Sequence, residues 1–141
     1  MIELALTLTV IAIMAAMMIP RFGRVMNSTR VSRSVAIVAS DMEQAFTLAA
    51  RYRKPMRITC TCGTGTYTIA DRTGGTVRLR RQLRDGDLGN MTLAWTAAGG
   101  VTTVDVFPSG VSTATLQLRI TSGSSTRAVT LSTAGLVRII P

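Results

Sequence analysis

Four groups of residues in this sequence have the types and spacing for chemistry. Cys60 and Cys62 flank a single Thr. A CxC pair holds a metal only with further ligands, and the chain has no His and no second Cys pair. On an extended strand, Cα atoms two residues apart lie about 6.6 Å from one another with poorly directed Cβ atoms, at the edge of disulfide reach. The spacing favours buried thiols, with a disulfide second and a metal third. Asp85-Gly86-Asp87-Leu88-Gly89-Asn90 opens like a calcium loop, but Gly89 and Asn90 are wrong for it and Thr96 stands where the closing Glu belongs. It reads as a polar turn. Arg78, Arg80, Arg81 and Arg84 form the densest basic run, with Arg78 and Arg80 expected on one strand face. Such a run is either a solvated face that discourages edge pairing or a set of salt-sensitive contacts to DNA phosphates. Glu3 is a lone carboxylate in an apolar stretch, either hydrated at a membrane surface or waiting for a cation from another subunit. Catalysis finds no support. There is no His, no Walker-type phosphate loop, and no recognisable spacing of Ser, Thr and Asp. No cofactor and no metal are expected.

The elements that must position these groups follow from length and charge. The chain has 141 residues, room for one ordinary domain, with formal charge +9 and mean hydropathy +0.34. Charge and apolarity are segregated. Residues 1–20 contain one charged residue, Glu3, whereas residues 21–141 hold all sixteen basic against six acidic residues, a balance of +10. Such hydropathy argues against a disordered chain. As a helix, residues 1–19 would rise about 28 Å, close to the hydrocarbon thickness of a bilayer. A cleaved signal peptide fits poorly, because the segment opens with an acidic residue and its apolar run is long. A membrane or membrane-extracted helix is expected. Arg21 and Arg24, counted alone, would put its C-terminal side in the cytoplasm.

From Gly23 to Lys54 there is no Pro. Val31, Val35, Val38, Met42, Ala45, Ala49 and Tyr52 recur at alternating steps of four and three, an amphipathic helical stripe that Phe46 widens. Asn27, Ser28 and Thr29 interrupt it and are read as a possible cap for a helix restart. Pro55 ends the helix. Beyond it the period becomes two, with about eight short runs separated by Gly-rich turns, an antiparallel pattern. The expected class is α+β: a hydrophobic segment 1–22, an amphipathic helix 23–54, and a β-rich part 55–141 of the same domain, its antiparallel sheet covered by the helix.

Ile2-Glu3-Leu4, the apolar run, and Ile19-Pro20-Arg21-Phe22 together resemble the N-terminus of type IV pilins and type II secretion pseudopilins. The register from Glu3 to Pro20 agrees with that family, and Met1 stands where it has Leu or another apolar residue. The resemblance implies that Glu3 pairs with the N-terminus of an adjacent subunit and that Pro20 marks where the helix bends or loosens. It implies an inner-membrane subunit with its domain in the periplasm, opposite to the count of Arg21 and Arg24. That subunit then joins identical or related pilins in a periplasmic or extracellular filament.

Three internal stretches narrow the resemblance to H-type minor pseudopilins and FimT-type minor pilins. They are Ala39-Ser40-Asp41-Met42 with Ala49–Ile58, Phe107-Pro108-Ser109-Gly110, and Ala134-Gly135-Leu136-Val137-Arg138-Ile139. FimT-type pilins resemble DNA-uptake proteins with a C-terminal Gly-Arg-x-Arg motif. Here Leu136 replaces the first Arg and Arg138 keeps the second. DNA is therefore an alternative partner, with Arg138, Arg78, Arg80, Arg81 and Arg84 on phosphates.

Overall fold

The structure is a computed structural model that describes residues 2–84 and 91–141, with side chains outside residues 17–22 and 24. The calcium-loop reading of Asp85–Asn90 lies outside the described residues.

Helix α1 (Ile2–Tyr52) is continuous. It restarts neither at Pro20 nor at Asn27-Ser28-Thr29. The hydroxyls of the latter region turn inward along the helix. Thr29 donates to the Val25 carbonyl at 3.0 Å, and the Ser28 carbonyl accepts from Ser32 at 2.8 Å. Hydroxyls that bond back one turn fit a helix interior rather than a cap. The helix ends where Arg53 adopts φ 53°, with the Lys54 N–H bonded to the Ala49 carbonyl.

The stripe does what its period predicts. Val31, Val35, Val38, Met42, Ala45 and Ala49 are all buried against the strands. Tyr52, the last member, is exposed instead.

Two four-stranded antiparallel sheets meet this face, where the sequence led us to expect one sheet. The first has the order β3 (Val77–Gln82), β2 (Thr66–Asp71), β1 (Met56–Thr61), β5 (Thr103–Val106). The second runs β4 (Thr92–Ala97), β6 (Leu116–Ser122), β7 (Ser125–Leu131), β8 (Val137–Ile140). Met56, Ile58, Tyr67, Ile69, Val104 and Val106 supply the inner face of the first sheet; Leu93, Leu116, Leu118, Ile120, Val129 and Leu131 supply that of the second. Complete burial of such a side chain contributes about 1.5–3 kcal/mol, so the helix stripe and both inner faces hold the domain together.

Gly135 shows how closely the turns pack. It has φ +77°, and a Cβ there would collide with the Gly110 carbonyl oxygen.

Candidate functional site

The two halves of α1 have different surroundings. From Val31 to Ala49 the apolar stripe is buried. From Ile2 to Met14 the large apolar side chains are 46–84% exposed, and they lie on all sides of the helix. Thr7 and Thr9 bond their hydroxyls to the carbonyls of Leu4 and Leu6, so the polar groups of this half are satisfied within the helix. Glu3 is exposed in its first turn. A helix apolar around its whole circumference requires an apolar environment, either lipid or other helices. Among the described residues no helix is long and apolar enough to cross a membrane. Pro20 lies within the helix backbone, and its side chain is outside the described set.

The arginine run is divided by a bulge. β2 and β3 pair Ile69 with Leu79 but Ala70 with Val77, which leaves Arg78 as the extra residue. Arg78 and Arg80 therefore do not share a face. Arg78 donates through Nε and Nη2 to Asp71 at 3.0 and 2.8 Å and lies 4.1 Å above the Tyr52 ring. Its guanidinium holds the Asp71 carboxyl below the ordinary carboxylate range, and the same bond raises Arg78. Arg80 is exposed on the opposite face, across from Thr68, with no ion-pair partner among the described residues.

Arg81 turns toward the helix. Its Nε and Nη2 each donate to Asp41 at 2.9 Å. Tyr67 donates its hydroxyl to the same carboxylate at 2.5 Å. Burial, reinforced by this bond, pushes the Tyr67 phenol well above its usual range, so it remains a donor. Arg84 donates to the Gly63 carbonyl at 3.1 Å. A third carboxylate, Asp105, accepts from Arg57 at 2.7 and 3.1 Å and pairs with Arg72 at 3.2 Å.

These carboxylates were missed in the sequence, although a signal was present. Asp41 adjoins Met42 and follows Val38 by three, so it borders the buried face, where a charge needs a partner. The ion pairs of Arg57, Arg72, Arg78 and Arg81 all lie in or beside the first sheet, with Asp41, Asp71 or Asp105 as the carboxylate. The second sheet has no Asp or Glu on its four strands but carries Arg119, Arg127 and Arg138. Arg138 is exposed on β8, opposite Thr130.

Cys60 and Cys62 form a disulfide with Cα atoms 5.1 Å apart. The reading as buried thiols assumed one extended strand through both residues. The chain leaves β1 at Thr61, with φ −97° and ψ 72°, and enters a 3-10 turn over Cys62–Thr64, which shortens that span.

The family model for type II transport protein GspH matches residues 34–135. No curated protein matches the chain. Among solved structures, the type IV minor pilin FimU of Pseudomonas aeruginosa is similar with TM-score 0.61 and 13% identity, over 80% of this chain and 90% of that one. The minor pseudopilin EpsH of Vibrio cholerae is similar with TM-score 0.59 and 13% identity, over 80% of this chain and 94% of that one.

Proposed function

The chain belongs to the type II transport protein GspH family, and from that membership we propose that it is a structural subunit of a type II secretion pseudopilus or type IV pilus-like filament, assembled through α1. The observation that carries this reading is the exposed apolar half of the helix, Ile2–Met14, beside a half already packed on its own domain. Before assembly that half lies in the inner membrane with the domain in the periplasm. The Cys60–Cys62 disulfide is at home in such an oxidising compartment. In the filament it packs against helices of identical or related subunits. Glu3 sets the axial register by pairing with a neighbour's terminal amine, because an unpaired buried charge penalises every other register. Pro20 loosens the helix between its two halves, since it lacks the backbone donor that would close its turn.

The test is imaging of the purified full chain and of Glu3→Ala. The reading expects homogeneous filaments from the former and none from the latter, with both domains equally folded. Normal filaments from Glu3→Ala would remove the role of Glu3.

A second reading, contact with DNA, is favoured by exposed Arg80 and Arg138 and by the basic balance of residues 21–141. Arg78 and Arg81 would contribute less to it, because both are bidentate to carboxylates. Affinity for duplex DNA that falls steeply with salt would support this reading; no binding at low salt would end it.

A further inference from the structure

The sheet edges are protected unequally. The β3 edge is bulged and Arg-rich. Beside β5 runs the segment 112–113, through the Val106–Ser112 bridge and the bond from the Thr113 N–H to the Asp105 carbonyl. β4 lies against the Cys62–Thr64 turn. On the outer side of β8 no described residue is paired. The edge is also apolar at its surface, with Leu136 just before β8 and Ile139 and Ile140 on it 41–50% exposed. Natural edges usually carry several charges, a bulge or a cover; β8 has one charge, Arg138.

The ladder identifies the free groups. The Ser132 N–H bonds to the Leu136 carbonyl at the hairpin turn, and antiparallel pairs alternate from there. Thr130–Arg138 and Ala128–Ile140 are then the hydrogen-bonded pairs, and the N–H and C=O groups of Val137 and Ile139 point away from β7. These groups form a template for one more strand.

Charge selects the occupant. The second sheet has no carboxylate on its strands, and Arg119 and Arg138 are exposed on its outer face. A second copy would bring one strongly basic domain against another and set one Arg138 near its counterpart. We propose that β8 is a strand-addition site for an extended acidic segment of a different protein, with backbone bonds to Val137 and Ile139, apolar side chains against Ile139 and carboxylates toward Arg138. The proposal stands independently of the filament reading, since it concerns the domain and makes no use of Glu3.

The test uses the full chain in detergent and a synthetic peptide of alternating Glu and Val, with a Lys–Val peptide and duplex DNA as comparisons. Peptide affinity is read by fluorescence anisotropy and amide protection by hydrogen exchange. The Glu–Val peptide should bind and protect the Val137 and Ile139 amides, and the Lys–Val peptide should not bind. Ile139→Pro removes an outward donor while leaving the β7 bonds in place, and should weaken binding at least roughly tenfold. Should that variant lose the β7–β8 ladder, Arg138→Glu decides, with a similar expected loss. The proposal is overturned by absence of Glu–Val binding up to about 1 mM, by equal binding of the Lys–Val peptide, by undiminished binding to the deciding variant, or by DNA alone occupying this face.

Discussion

The two halves of α1 are one element with opposite fates. Between Val31 and Ala49 the apolar residues keep to a stripe, and that stripe is buried on two sheets. Between Ile2 and Met14 the apolar residues occupy every side of the helix and remain exposed. A stripe calls for one partner face, which the same chain supplies. A helix apolar all round calls for surroundings on every side, which a single sheet cannot supply. The difference teaches that the part of the helix that folds the domain is separate from the part left open to other surroundings.

Substitutions in the two halves should therefore differ in kind. Met42→Ala removes a fully buried side chain and should destabilise the domain by about 2–5 kcal/mol in urea unfolding. If Met42→Ala left stability unchanged, the packed half would not be the fold's anchor. Asp41→Ala should cost about 2–3 kcal/mol, because the Tyr67 hydroxyl is left buried without an acceptor while the partly exposed Arg81 regains water. In the exposed half, Leu6→Ala should change domain stability by no more than about 0.5 kcal/mol while reducing filament yield. A stability loss comparable to that of Met42→Ala would erase the contrast.

A smaller effect concerns acid. Because Arg78 holds the Asp71 carboxyl down, the pair's stabilisation is present above the unfolded Asp value of about 3.9. It is lost as pH falls through the lower folded value. Arg78→Gln should therefore lower stability near neutral pH, and its deficit against the native chain should shrink under acid. A deficit independent of pH would mean that Arg78 acts through its stacking on Tyr52 alone.

How legible each feature was depended on how local its physics is. The Val31–Ala49 stripe was readable because the helical period places those residues on one face regardless of what covers it. The strands were readable for the same reason. Their division into two sheets was not, because alternation says which side of a strand is buried and nothing about which strand lies beside it. The return of β5 to β1 is such a pairing. The basic run Arg78–Arg84 looked like one cluster because its partners Asp41 and Asp71 are set by helix docking and by a bulge. Tyr52 continued the stripe by spacing, yet at the helix end it lies under Arg78. Cys60 and Cys62 were misjudged because a strand was assumed to continue past Thr61. The assembly roles of Glu3 and Pro20 rest on family resemblance rather than on local physics.

The most direct measurement is removal of residues 1–22 from the chain, followed by thermal unfolding and sedimentation. The account predicts a domain that unfolds as cooperatively, and at about the same temperature, as the full-length protein and that sediments as a single unassembled species. A truncated chain that still forms filaments, or one that no longer folds, would contradict it.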